Sequence, residues 1–334
     1  MSSPSPTTLI VIVNYRSGRL VADCLQSLEP EVRANPGTQV VVVDNCSGDG
    51  SADVIAQHIQ TQQAAGWAEL VRAELNGGFS YGNNVAIRPS FHSAAPADYY
   101  WLVNPDTMVR PGALRALLDF MTARPRVGIT GSSLEDENGE PWPWAFRFPS
   151  VWSEIDGGLR LGVVSKLLSR WTLARKMGAE PEQVDWLPGA SMMIRREVFQ
   201  SVGLMDESYF LYYEETDFCR QARLAGWDCW YVPQSRVMHI AGQSTGVTVK
   251  TDRPKRLPAY WFESRRRYFV KNHGRLYAVV ADLFWMGAYA LWRLRRLIQR
   301  KPDTDPPKHL IDFFQHSALW KSRIDVGVVP PPAR

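Results

Sequence analysis

Before residue 104, short β-branched or aromatic runs recur at Leu9–Val13, Gln39–Val43, Leu70–Ala73 and Tyr99–Val103, each separated from the next by a turn and a stretch with helical spacing. Runs that are apolar at consecutive positions must be covered on both faces, and the intervening helices are the only covers available. The spacing therefore predicts an α/β fold with a mixed, mainly parallel sheet flanked by helices. A helix is expected from about Ser17, where Leu20, Val21, Cys24, Leu25 and Leu28 share one face. Others are expected near 80–93 and over 111–123, with Pro111 in the first turn of the latter. Val127–Thr130, the region Val184–Arg195 and Cys229–Val232 continue the strands, with a helix beginning near Arg196 and another over Thr216–Ala225.

The chain has 334 residues, of which 45% are hydrophobic, enough for one large domain and an appendage. Its net charge of +4 does not demand a nucleic-acid partner, and none is expected. Cys24, Cys46, Cys219 and Cys229 form no C-x-x-C pair and read as reduced thiols of a cytoplasmic protein. The N-terminal apolar run is too short for a signal-peptide core, so a short tail leading into a strand is expected.

Open α/β sheets bind ligands beyond the carboxyl ends of their strands. Asn14, Asp44, Asn76 and Asn104 all fall there. Neither G-x-G-x-x-G nor G-x-x-x-x-G-K-[ST] is present, so phosphates are not held in either of those Gly-rich cradles. Asp44, beside Asn45, can accept hydrogen bonds from a base or ribose, or simply cap the next helix. In Asn76-Gly77-Gly78-Phe79-Ser80-Tyr81-Gly82-Asn83-Asn84 the paired glycines allow close approach of backbone to ligand, although a plain turn needs them equally. Asp106 can bind a hard divalent cation that bridges two phosphates, or cap a helix. His239 is a second candidate ligand or a core histidine. Between about 135 and 185 the pattern is irregular and rich in aromatics, as expected of a loop over the crevice. There Trp142 and Trp144, with Trp186 just beyond, either stack on sugar or form local core.

The stretch from Phe210 to Trp227 sets Glu214, Glu215 and Asp217 at the start of a helix among aromatic residues. Carboxylates at these spacings cannot all face one way: one suits the helix N-terminus while another faces the crevice. Glu215, beside Tyr212, Tyr213 and Phe218, is expected to be partly desolvated, with its pKa raised toward that of a general base.

Taken in order, Val13-Asn14-Tyr15, Val43-Asp44-Asn45-x-Ser47-x-Asp49-Gly50-Ser51, Asn76-Gly77-Gly78-Phe79, Gly82-Asn83-Asn84, Asn104-Pro105-Asp106, Gly189-Ala190 and Glu214-Glu215-x-Asp217 resemble the motifs of glycosyltransferase family 2. The likeness is to its bacterial rhamnosyltransferase-like branch and covers roughly residues 8–245. It implies a GT-A fold, a dTDP- or UDP-sugar donor, a divalent metal (Mg²⁺ or Mn²⁺) and inversion at the anomeric carbon. On the matching positions it implies that Asn14, Tyr15, Asp44, Asn45, Asn76, Gly77, Asn83, Asn104 and Asp106 bind the nucleotide-sugar. It implies further that Asp106 and His239 bind metal, that Glu215 is the base with Glu214 and Asp217 beside it, and that Trp186 and Gly189 meet the acceptor or sugar. Two departures are visible: Asn104 stands where the family's metal motif begins with Asp, and Glu215 replaces the commoner Asp. The expected activity is transfer of a sugar, with L-rhamnose the candidate that the branch suggests, to a glycan or lipid-linked acceptor in cell-surface polysaccharide synthesis. A non-catalytic sugar- or nucleotide-binding scaffold and a nucleotidyltransferase are the competing readings, although Val13-Asn-Tyr-Arg-Ser-Gly18 is a poor triphosphate loop.

We expect residues 1–250 to form the catalytic domain and 251–334 a helical, basic and aromatic extension. Within the extension, Leu276–Trp292 is interrupted by Asp282 and flanked by arginines, which suits a helix in the membrane interface on the inner face of the cell membrane. A hairpin packed on the catalytic domain, or on a second copy in a homodimer, fits the same residues. Pro-rich segments at 302–307 and 329–333 are expected to bracket one more short helix and a tail.

Overall fold

The computed structural model describes residues 6–61, 64–142, 144–240 and 254–321. The residues after Ile240 in the motif containing His239, and the expected tail at 329–333, lie outside the described residues.

The strands are β1 (Thr8–Asn14), β2 (Thr38–Asp44), β3 (Ala68–Arg72), β4 (Tyr99–Val103), β5 (Thr107–Val109), β6 (Val127–Glu135), β7 (Trp144–Phe146), β8 (Ala174–Lys176), β9 (Glu182–Val184), β10 (Ser191–Arg195) and β11 (Asp228–His239). The helices are α1 (Gly18–Ala34), α2 (Ser51–Thr61), α3 (Gly78–Phe91), α4 (Ala113–Thr122), α5 (Val151–Leu159), α6 (Gly162–Leu167), α7 (Arg196–Val202), α8 (Glu214–Leu224), α9 (Ala259–His273), α10 (Arg275–Ile298) and α11 (His309–His316).

The main sheet runs β3-β2-β1-β4-β10-β6-β11-β5, with β9 also on β11. In this mixed sheet β1, β2, β3, β4, β6 and β11 point one way, and β5, β9 and β10 the other. The expected α/β architecture is therefore observed. Its two faces bury separate apolar clusters, one under α1, α2 and α4 and the other under α3, α7 and α8. β7 and β8 form a small second sheet over the cleft, within the region expected to be irregular.

Two details differ from expectation. Pro111 lies before α4 rather than in its first turn, because Gly112 takes φ +84° at the N-cap and the helix starts at Ala113. β6 also continues well past Thr130, to Glu135, through Gly131, Ser132 and Ser133. The buried hydroxyls there are satisfied across the sheet: Ser132 is 2.6 Å from Ser191 and 2.7 Å from Ser235, and the Trp101 indole donates to Ser191 at 3.0 Å.

The C-terminal helices pack onto this body. Asp282 is buried because the Arg265 guanidinium reaches it at 2.5 Å and Glu154 of α5 at 2.8 Å. The other Asp282 oxygen accepts the Ala318 N–H at 2.7 Å. One arginine thus joins α5, α9 and α10, which explains an acid inside an apolar stretch. Tyr268, Phe269, Ala278 and Ala281 share a buried cluster with Tyr209, just ahead of α8.

Candidate active site

β1 and β2 end together, with Asn14 beside Asp44 in parallel register. Asn14 is fully buried and spends its amide nitrogen on Asp44 (2.7 Å), Ser47 (3.2 Å) and Ser51 (3.1 Å), while its oxygen accepts the Ser17 N–H at 3.0 Å. It braces Asp44 from inside the fold. Asp44 additionally accepts from the Ser47 hydroxyl at 2.6 Å and the Ser47 N–H at 3.2 Å. Tyr15 is half-buried, under the Arg16 guanidinium, 5.1 Å from its ring centre.

The next loop is tied to the first. Asn45 donates to Asn76 at 2.9 Å and to the Gly78 carbonyl at 3.1 Å. Gly77 has no room for a side chain, since a Cβ would lie 2.4 Å from the Tyr81 ring. Gly78 has φ +86°, and a Cβ there would sit 1.8 Å from the Phe210 carbonyl oxygen, which accepts the Phe79 N–H at 2.9 Å. These glycines thus let the start of α3 approach the segment that leads to Glu214 and Glu215. Asn83 turns inward, its amide donating to the Phe79 carbonyl at 2.9 Å.

That segment bends sharply. Tyr212 and Tyr213 take φ of +70° and +68°, a left-handed pair worth about 1–3 kcal/mol of strain at each residue. Their rings rest on α9: Tyr212 stacks on Tyr260, and Tyr213 meets Trp261 and Tyr268. The Ser264 hydroxyl donates to the Leu211 carbonyl at 2.9 Å. After the bend, Glu214, Glu215 and Thr216 open on a cleft of about 450 Å³. The Gly189 N–H donates to Glu215 Oε1 at 3.1 Å, so Gly189 orients this carboxylate. A Cβ at Gly189 would lie 2.9 Å from Glu215 Oε1 and 2.8 Å from the Phe79 ring. Burial pushes both carboxyl groups above the usual carboxylate range; for Glu214, whose Oε2 has no hydrogen-bond partner, the neighbouring Glu215 charge adds to the rise. Among the described contacts, Asp217 turns away from the cleft. Its oxygens take the Lys271 ammonium at 2.6 Å and the Asn272 amide at 2.7 Å, fastening α8 to α9.

Asn104, Asp106 and His239 line the same cleft. His239 pairs with Thr107 in the β11–β5 ladder, which brings His239 Nε2 to 3.3 Å from Asp106 Oδ1 and 3.5 Å from the Asn104 amide nitrogen. Asp106 Oδ1 and His239 Nδ1 are buried without a hydrogen-bond partner, and Asp106 is 4% exposed. A carboxylate oxygen and an imidazole nitrogen so placed suit a divalent cation completed by ligand oxygens. Among the described residues no third His, Cys, Asp or Glu joins them. The opposite wall is aromatic. Trp186 stacks on Phe146 at 4.4 Å and donates its indole N–H to the Arg147 carbonyl at 2.9 Å, while Trp142, Leu173 and Trp261 complete it. Trp261 and Lys271 carried no signal in the sequence, because both act from a helix more than 40 residues beyond the motifs they serve.

The profile described as "Glycosyltransferase like family 2" matches residues 4–254. The chain belongs to that family. Among its relatives is the N-acetylglucosaminyl-diphospho-decaprenol L-rhamnosyltransferase of Mycobacterium tuberculosis, 30% identical over 299 residues, or 86% of this chain and 88% of the relative. Rhamnosyltransferase WbbL of Escherichia coli is 26% identical over 166 residues, covering 49% of this chain and 61% of that protein. The fold is shared with a mannosyltransferase from Pyrobaculum calidifontis solved with GDP-Man and Mn²⁺, at TM-score 0.54, 15% identity and coverage of 96% and 82%. It is shared also with GalNAc-T7 solved with UDP, GalNAc and Mn²⁺, at TM-score 0.58, 17% identity and coverage of 96% and 56%. The GT-A fold implied by the family-2 motifs is thus the fold observed.

Proposed function

We propose that this family-2 enzyme is an inverting, metal-dependent transferase that moves L-rhamnose from a dTDP- or UDP-linked donor to a lipid-linked saccharide, in peripheral contact with the cytoplasmic face of the membrane. The M. tuberculosis relative, named for an L-rhamnosyl transfer to a diphospho-decaprenol acceptor, supports the choice of sugar and acceptor. The reaction is carried by one observation: Glu215, desolvated and held by the Gly189 N–H, shares a cleft with Asp106 and His239.

A sugar hydroxyl is a weak nucleophile and needs its proton removed as it attacks. Glu215 takes that proton, and its raised pKa makes it a stronger base than an ordinary carboxylate. Glu214 lies beside it in the same cleft, and the Gly189 N–H holds Glu215 Oε1. Asp106 and His239 would hold the cation, with Asn104 beside them. When bound, the cation supplies positive charge to offset that of the departing diphosphate. Asp44, braced by Asn14, and the Asn45–Asn76 pair shape the nucleotide end, while Trp142 and Trp186 wall the acceptor end and exclude water. Residues 1–250 carry this chemistry, and 251–334 support it.

Replacing Glu215 with Gln tests the assignment. Transfer is expected to fall by about 10²–10⁴-fold while nucleotide-sugar binding stays within a few-fold. An equal loss of donor affinity would contradict the role of base. In thermal-shift titrations, dTDP and UDP ligands are expected to stabilise the protein only with Mg²⁺ or Mn²⁺, and Asp106→Asn to abolish the metal dependence. Absence of any stabilisation would favour the non-catalytic reading.

A further inference from the structure

α10 has 24 residues, a length of about 36 Å at the usual rise. Ala278, Ala281, Trp285, Ala288 and Tyr289 face inward, and the helix packs on α5 and α9. Counted at about 100° per residue, Leu276, Leu283, Leu291, Leu294 and Ile298 fall on the opposite side. All five are exposed, Leu276 to 80% and Ile298 to 73%. The charged residues of the helix are engaged off that stripe. Asp282 and Arg296 are buried, Arg293 pairs with Asp303 at 2.9 Å, and Arg295 donates to the Leu159 and Arg160 carbonyls at 2.8 and 2.9 Å. Among the described residues no helix is long and apolar enough to cross a membrane. α10 is therefore a packed helix with one uncharged face that no other described residue covers.

The Arg295 contacts tie the end of α10 to the turn into α6, where Val163 (66%) and Leu167 (75%) are also exposed. Beyond α6, Trp171 packs on Trp152 with ring centres 5.7 Å apart, and Leu173 lines the catalytic cleft. Along the chain, exposed apolar side chains thus run from α6 through Trp171 to Leu173 in the lining of the cleft. Cations accompany them: Lys166, Arg170, Arg300 and Lys301 are exposed and have no carboxylate partner among the described residues.

We propose that the outer face of α10 and the apolar tip of α6 dock on an anionic lipid bilayer, with the cleft mouth turned to the surface where a lipid-linked acceptor lies. Charge selects this occupant. A second copy of the same surface brings leucines but only more cations, whereas an anionic bilayer offers acyl boundary to the leucines and phosphate to the basic groups. The direction assigned to the cleft rests on the acceptor reading above; the docking does not.

Flotation of the full chain with phosphatidylcholine vesicles, and with equimolar phosphatidylcholine and phosphatidylglycerol, tests the proposal. Binding is expected to the anionic vesicles alone. The double variants Leu291→Glu/Leu294→Glu and Arg300→Glu/Lys301→Glu should each lower it at least about tenfold. Val54→Glu, at an exposed apolar position on α2, should leave it unchanged. All of these positions face solvent, and unchanged circular dichroism with intact dTDP- or UDP-dependent thermal shifts confirms that each variant is folded. Docking is refuted if wild type ignores anionic vesicles, if either double variant binds like wild type, or if the leucine variant instead splits a dimer seen in size exclusion. Vesicle binding that is lost in both double variants, with no nucleotide shift in any protein, supports docking and sinks the transferase reading.

Discussion

Replacing Lys271 with methionine is expected to slow transfer from a position outside the cleft. Lys271 Nζ lies 2.6 Å from Asp217 Oδ2 and 2.8 Å from Asp206 Oδ2; the Asp217 side chain is 3% exposed and that of Lys271 33%. Breaking a fully buried ion pair costs about 3–5 kcal/mol, because a charge is left without its partner. Here water already reaches the ammonium, and the Asn272 amide still holds Asp217 at 2.7 Å, so we expect a loss of about 2–3 kcal/mol. For a chain of this size that is a fall in Tm of roughly 3–4 °C. The fastening matters because the strained Tyr212–Tyr213 bend leads directly into α8, and α9 supports it. We therefore expect kcat to fall by about tenfold, with donor Kd little changed and Lys271→Arg restoring most of the rate. The sign with pH follows. Burial raises the Asp206 pKa, but the Lys271 contact outweighs it and the net shift is downward; burial lowers the Lys271 pKa, but Asp217 and Asp206 outweigh it and the net shift is upward. The contribution of the Asp206 contact is lost as pH falls below the ordinary carboxylate value of 3.8, and that of Lys271 as pH rises above its ordinary 10.5. The gap in Tm between wild type and variant should be widest between those limits in a denaturation series. Unchanged kcat alongside the lost stability would refute the positioning role, and an equal fall in donor affinity would move the effect to the nucleotide end.

Glu214→Gln should raise Tm at pH 8 and leave it nearly unchanged near pH 4, because the folded protein holds the Glu214 proton more tightly than the unfolded chain does, so ionisation destabilises it as pH rises. A lower Tm at pH 8 would show that the charge is needed for folding. Gly78→Ala should cost about 3 kcal/mol or more, since its Cβ would meet the Phe210 carbonyl at 1.8 Å in a left-handed backbone. A soluble Gly78→Ala enzyme with normal Tm and donor binding would show that α3 can retreat. For wild type, the acid limb of the kcat profile should lie above the ordinary glutamate value of 4.5 and disappear in Glu215→Gln; a limb that survives belongs to another group.

The strands that carry the nucleotide end were legible because each is a run whose burial follows from its own side chains: β1, β2 and β4 begin and end within a residue of where their β-branched runs do. β6 was not, because Gly131-Ser132-Ser133 has the composition of a turn. It extends because its ladder with β11 runs on to Glu135 and because Ser191 and Ser235 satisfy the central hydroxyl from neighbouring strands, and no local pattern encodes such partners. The same limit governs the site. Asp106, His239 and Glu215 stand in motifs with recognisable order, and the fold brings them to one cleft. Asn14 and Asp217 stand in those motifs too, yet one braces Asp44 and the other grips Lys271. A motif reports that a polar residue is required at a position, but not whether ligand or protein uses it.

The C-terminal helices show why the division between a chemical part and a supporting part is functional rather than spatial. Every motif residue lies before Ile240, but the bend that aims Glu215 is stabilised by Tyr260, Trp261, Ser264 and Tyr268 of α9. Two left-handed tyrosines together cost about 2–6 kcal/mol, a large fraction of the roughly 5–15 kcal/mol by which domains are stable, and a bend this expensive relaxes when its packing is taken away. α10 is fixed to the same α9 through Arg265, which Glu154 and Asp282 hold from either side. One face of this helical pair is thereby committed to the geometry of the base, while the outer face of α10 stays exposed among the described residues. A chain cut before α9 would keep each motif residue and lose transfer, because the carboxylate would remain while the direction in which it points would not.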